Sequence, residues 1–125
     1  MKILVVDDDN EIRGVLHEYL ESVGHDVVSA ASGRDAIVQI TEHQFDAAVV
    51  DWQMAGISGR DVIHHLRSVS PETRVFVSTG YGESMVSTAS LERLVEHVFR
   101  KPFSLSALAK TLNSGKALAP PTSRA

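Results

Sequence analysis

A chain of 125 residues with 43% hydrophobic and 22% charged side chains carries enough apolar surface for one folded domain, which excludes a disordered tract. Twelve basic residues against sixteen acidic ones leave a net charge of −4, a balance that does not favour a nucleic-acid partner. The absence of cysteine excludes disulfides, thiolate zinc sites and thiol catalysis, and no apolar run approaches the roughly 18 residues of a membrane span or forms a signal peptide, so a soluble, cytoplasmic domain with no membrane partner is expected.

Along the chain, short β-branched runs alternate with stretches of helical period. Ile3–Val6, Ala47–Val50 and Val75–Val77 are continuous apolar runs, with weaker ones at Val27–Val28 and Val98–Phe99. Runs of this kind suit strands covered on both faces, as in parallel sheets. The first helical stripe is Ile12, Val15, Leu16, Tyr19, Leu20 and Val23, with Asp9 at the N-cap position and Gly24 as a stop. Ser32 caps a second helix with Ala36, Ile37 and Ile40, and Gly59 leads into a third with Val62, Ile63 and Leu66 that ends before Pro71. A less regular fourth is expected near Met85–Glu96, and Ser104 caps a fifth striped by Leu105, Leu108, Ala109 and Leu112. Strand and helix in turn, five times over, predict a five-stranded parallel sheet with helices on both faces. All the apolar stripes are expected to serve the core. One domain over 1–113 and a linker-like tail over 114–125 complete the organisation.

In such sheets ligands bind beyond the carboxyl ends of the strands. The groups expected there are Asp7-Asp8-Asp9 after the first strand, Asp51 after the third, Ser78-Thr79-Gly80 after the fourth and Lys101-Pro102 after the fifth. Singly, each has a plain reading: a solvated capping loop, a strand-end carboxylate, a turn hydroxyl, a surface charge. Together at one sheet edge, the carboxylates repel one another unless a cation or proton intervenes. Mg²⁺, a hard ion that takes oxygen ligands, suits that set, and a lysine beside a hydroxyl complements phosphoryl oxygens. The residues therefore describe a Mg²⁺-dependent phosphoryl site with an aspartate as nucleophile. The six histidines show no metal-ligand spacing, and the glycines form no nucleotide-binding pattern.

Val5-Val6-Asp7-Asp8-Asp9, Val49-Val50-Asp51-Trp52-Gln53-Met54, Gly59, Ser78-Thr79-Gly80 and Arg100-Lys101-Pro102-Phe103, in this order, resemble the receiver domain of two-component response regulators. The likeness runs from residue 2 to about residue 113 and implies the (βα)5 flavodoxin-like receiver fold. It implies that Asp51 accepts a phosphoryl group from a sensor histidine kinase or a histidine phosphotransfer protein. The implied Mg²⁺ ligands are Asp8, Asp51 and the main-chain carbonyl of Gln53, with Asp7 holding metal-bound water. Thr79 is implied as the hydroxyl that reports the modification, Lys101 as the ammonium that pairs with the phosphoryl oxygen, and Pro102 as a cis proline. Gln53 and Tyr81 match positions that gate an attacking water.

Departures from that pattern bear on output. Ala55 stands where the family has proline, and Val98 where it has Tyr or Phe, whose inward swing follows the hydroxyl; a β-branched aliphatic makes no such rotamer switch. Phe99 is expected to point to the opposite face of the sheet. Leu94-Val95-Glu96 replaces a Gly-Ala pair before the fifth strand, closer to receivers of hybrid kinases than to those with DNA-binding domains. The expected protein switches contacts with a downstream protein, either as a single-domain regulator or as the amino-terminal piece of a longer chain. The alternative is a receiver-like scaffold that binds protein without phosphorylation. A flavin binder would want a phosphate cradle where three aspartates stand.

Overall fold

In the computed structural model the described residues are 1–80 and 95–113. They form β1 (Lys2–Val6), α1 (Asn10–Ser22), β2 (Asp26–Ala30), α2 (Gly33–Glu42), β3 (Ala47–Asp51), α3 (Gly59–Val69), β4 (Arg74–Thr79) and β5 (His97–Arg100), followed by a helix over 105–113. All pairings are parallel, in the order β2-β1-β3-β4-β5, so the order reverses between β1 and β3. This is the expected five-stranded sheet. The crevice where order reverses is where such sheets bind ligands.

The period of two along each strand divides the core. Ile3, Val5, Ala47, Val49, Phe76 and Phe99 face α1 and the helix over 105–113, where they meet Leu16, Leu20, Leu108 and Leu112. Leu4, Val6, Ala48, Val50, Val75 and Val77 face α2 and α3, where they meet Ala36, Ile40, Val62, Ile63 and Leu66. Ile3, Leu4, Phe76, Ile63 and Leu66 are fully buried, each contributing roughly 1.5–3 kcal/mol of hydrophobic stabilisation.

Asp9 caps α1, Ser32 caps α2, and the left-handed Gly24 (φ 101°) follows α1, as its sequence predicts. The α1 stripe is only partly core, contrary to expectation: Leu16 and Leu20 are buried, whereas Val15 and Val23 are 47% and 46% exposed. A six-residue stripe over three turns is wider than the strip of sheet beneath it, and Val15 falls on the edge of a cavity. The helix expected at Met85–Glu96 lies mainly outside the described residues, but it cannot run to Glu96. The Glu96 amide donates to Val75 O at 2.7 Å, which already lays the chain along β4. Asp51, Ser78 and Thr79 are the last residues of their strands rather than the first beyond them. The tail over 114–125 lies outside the described residues.

Candidate functional site

The three aspartates after β1 divide into three roles. The Asp7 amide continues the β1–β2 ladder by donating to Ala30 O at 3.2 Å, which turns its side chain inward and leaves it 1% exposed. Asp7 Oδ1 accepts the Asp9 amide at 2.9 Å. Asp9 Oδ1 in turn accepts the amides of Glu11 and Ile12 at 2.9 and 3.1 Å and starts α1. Asp8 between them is left exposed on the rim.

Asp51 ends β3 at 4% exposure, and its Oδ1 lies 3.4 Å from the Gln53 amide, a weak contact. Lys101 is fixed just beyond β5 by its own amide, which donates to Thr79 O at 2.7 Å. Its ammonium lies 3.0 Å from Asp7 Oδ2 and 3.4 Å from Asp51 Oδ1. The Lys101–Pro102 peptide is cis. Residues 94 positions apart in the chain thus meet at one sheet edge. They open on a cavity of about 820 Å³ with an acidic end at Asp7, Asp8 and Asp51 and an apolar wall that includes Ile12, Val15 and Phe103.

Carboxylate oxygens of Asp7, Asp8 and Asp51 lie within 4.8 Å of one another. Burial first, and the neighbouring Asp7 charge second, push the Asp51 carboxyl up from 3.8 to about 6, although Lys101 and the Gln53 amide pull the other way. Burial disfavours the charged form of Lys101, but its hydrogen bond to Asp7 and the charges of Asp51 and Asp7 outweigh this and hold the ammonium above its ordinary range. One lysine therefore leaves the carboxylates undercompensated. A hard divalent cation with oxygen ligands fits the donor set.

Thr79 is 2% exposed and its Oγ1 has no hydrogen-bond partner among the described residues. Val98 packs on the α2–α3 side and Phe99 on the α1 side, so strand period separates them as expected. Phe99 stacks on Phe103 at 5.4 Å and His97 at 4.5 Å between ring centroids. Trp52 packs against the α2–α3 cluster beside the site, and Tyr81 lies outside the described residues.

Arg13 escaped the sequence reading, whereas Gly59 and Ser78 were named in it without the placement that the structure gives them. Arg13, one turn into α1, donates to Asp7 O at 2.8 Å, an i to i+6 contact that no short motif encodes. Gly59 brings the start of α3 against Asp51, since a Cβ there would stand 2.2 Å from Asp51 O. Ser78 is 1% exposed, with its Oγ unpartnered among the described residues, and pairs in register with Asp51. Only the strand register reveals that last juxtaposition.

Comparison with known proteins agrees with this geometry. The family model for the response regulator receiver domain matches residues 3–113. A cyclic di-GMP phosphodiesterase from Thermotoga maritima is 32% identical over 108 residues, which cover 86% of this chain but 29% of that protein. Sporulation initiation phosphotransferase F from Bacillus subtilis is 31% identical over 104 residues, covering 83% of this chain and 84% of that one. The chain therefore spans less than a third of one relative and most of the other. The crystal structure of response regulator protein TrrA from Thermotoga maritima in complex with Mg²⁺-BeF superposes with a TM-score of 0.80 at 26% identity, covering 90% of this chain and 96% of that one. With buried acids, lysine and hydroxyl gathered at the carboxyl edge of a 2-1-3-4-5 sheet, and the family model matched over residues 3–113, the chain belongs to the response regulator receiver domain family.

Proposed function

We propose that the chain is a phospho-accepting switch, modified on Asp51. A carboxylate oxygen of Asp51 attacks the phosphorus of a phosphohistidine on a sensor histidine kinase or histidine phosphotransfer protein. The new P–O bond forms as the P–N bond breaks, and the departing imidazole keeps the bonding pair and takes a proton from solvent. Asp8, Asp51 and the Gln53 carbonyl would hold Mg²⁺, with Asp7 supporting its water, and the ion would supply the charge that admits a phosphoryl dianion to an acidic site. Lys101 pairs with a phosphoryl oxygen, and Thr79, whose hydroxyl is uncommitted among the described residues, donates to another. Gln53 and Tyr81 gate the water that ends the signal. The observation that carries this reading is the clustering of the Asp7, Asp8 and Asp51 carboxylates at one sheet edge, with Lys101 paired to the buried Asp7 and Asp51.

The modified state is read by a downstream protein in the cytoplasm. Because Val98 cannot swing as an aromatic ring does, the change at Thr79 reaches the surface without that rotamer. The receiver occupies 1–113, and 114–125 is a linker-like tail. Intact mass after incubation with acetyl phosphate and Mg²⁺ tests the reading, with Trp52 emission followed in parallel. One added phosphoryl group is expected, absent in Asp51→Asn and without Mg²⁺. No adduct from either this donor or a histidine kinase, with Trp52 blind to Mg²⁺-beryllofluoride, would favour the phosphorylation-independent scaffold.

A further inference from the structure

We propose that Ser78 is a positioning residue for Lys101, its hydroxyl accepting the third N–H of the ammonium when phosphorylation of Asp51 shifts that ammonium. This rests on the reading of Asp51 as acceptor. The strand order carries the argument. Lys101 follows β5, yet its ammonium pairs with Asp51 on β3 and with Asp7 just beyond β1. Its stem must therefore cross the end of β4, the strand between. The residue standing there is Ser78, paired in register with Asp51 on one side and Phe99 on the other.

Paired residues of a parallel sheet share a face, and Ser78 falls on the face of Phe76 and Phe99, the one that continues into Asp51 and Lys101. It is 1% exposed, and its Oγ has no hydrogen-bond partner among the described residues. A buried hydroxyl left in that condition is costly and calls for an explanation. An ammonium has three N–H donors, and the two carboxylates engage two of them. After transfer, the oxygen of Asp51 that carries the phosphoryl group is no longer an anionic partner, and the ammonium moves toward the phosphoryl oxygens. By strand order and register, Ser78 stands at the position on β4 that the stem must cross. The hydroxyl then fixes the direction of an otherwise flexible four-carbon chain.

The experiment compares wild type, Ser78→Ala and Ser78→Thr for the rate of phosphorylation by acetyl phosphate and for Mg²⁺-beryllofluoride affinity from Trp52 emission, with unfolding midpoints measured alongside. Ser78→Ala is expected to lower rate and affinity by roughly three- to tenfold, the loss of about one hydrogen bond. Its midpoint is expected to stay or rise, because an unsatisfied hydroxyl has been removed. Ser78→Thr, which keeps the hydroxyl, is expected to stay within about twofold of wild type. In a Lys101→Ala background, the Ser78→Ala effect on beryllofluoride affinity should vanish if the serine acts through the lysine. Wild-type rate and affinity in Ser78→Ala overturn the inference while leaving the acceptor reading intact, as does a loss that merely follows a fallen midpoint. A wild-type protein that takes up neither phosphoryl group nor mimic overturns the acceptor reading itself, and this inference with it.

Discussion

Asp51 is held in a condition that favours chemistry over stability. Its carboxyl titrates at 3.8 when unfolded and at about 6 in the fold, raised by burial and by Asp7. The folded state therefore binds the proton more tightly, and the stability this group contributes is fully present below 3.8 and lost as pH rises through about 6. At 5% side-chain exposure little solvent screening intervenes. A shift of this size corresponds to about 2–3 kcal/mol. Asp51→Asn, neutral at every pH, is accordingly expected to be more stable than the parent at pH 7 in chelator, with the gain shrinking to nothing near pH 4. Urea denaturation at a series of pH values measures it, and a gain independent of pH would refute the assignment. Mg²⁺ is expected to act in the opposite sense on the parent, because an ion that binds only the folded carboxylate would restore stability by mass action.

At the level of elements, α3 shows how local chemistry places Asp51. Ser58 Oγ accepts the Asp61 amide at 3.2 Å while Asp61 reaches back to the Ser58 amide at 3.4 Å, a capping box that fixes where the helix begins. The next residue, Gly59, fits only because it lacks a Cβ, which would stand 2.2 Å from Asp51 O and 2.9 Å from Trp52 Cα. Gly59→Ala is expected to cost at least 1–3 kcal/mol, roughly, and to weaken beryllofluoride binding as well, since the clash is with the main chain of Asp51 itself. Gly14 on α1 meets nothing within 4 Å, and Gly14→Ala should instead stabilise by about 0.5–1 kcal/mol with unchanged binding. Equal effects of the two alanines would show that helix propensity, not the approach to Asp51, decides. The strands and the Asp9 and Ser32 caps were legible in the sequence because they depend on neighbours within a few residues. Asp7, Asp51, Thr79 and Lys101 were legible as residues of one sheet edge because parallel strands deliver their ends there. The roles of Ser78, Arg13 and the exposed Val15 were not, because each depends on which strand or helix lies alongside.

Across the whole molecule, the two ends of the sheet serve separate purposes. The carboxyl edge gathers undercompensated acids and hydroxyls that have no partner among the described residues, whereas the amino edge is closed by a well-satisfied clamp around Arg74. Its Nε and Nη2 donate to Glu96 at 2.9 and 2.7 Å, and Nη1 donates to Leu112 O at 2.8 Å. The guanidinium also lies 5.2 Å from the Phe76 ring centre. A half-exposed ion pair alone contributes little, but here the same group satisfies a carbonyl in the last turn of the helix over 105–113 and covers an aromatic ring. Arg74→Ala is therefore expected to cost about 1–2 kcal/mol, a loss of packing and bonds together. Arg74 begins β4 and Thr79 ends it, roughly 16 Å apart at the usual rise per residue. Sites that far apart with no shared partner behave independently. The expected outcome is a lower urea midpoint with unchanged Mg²⁺-beryllofluoride affinity and unchanged phosphorylation rate. A parallel fall in affinity would mean that the helix over 105–113 transmits its anchoring to Lys101 and Phe103 at the other edge. That outcome would make the clamp part of the switch rather than part of the frame.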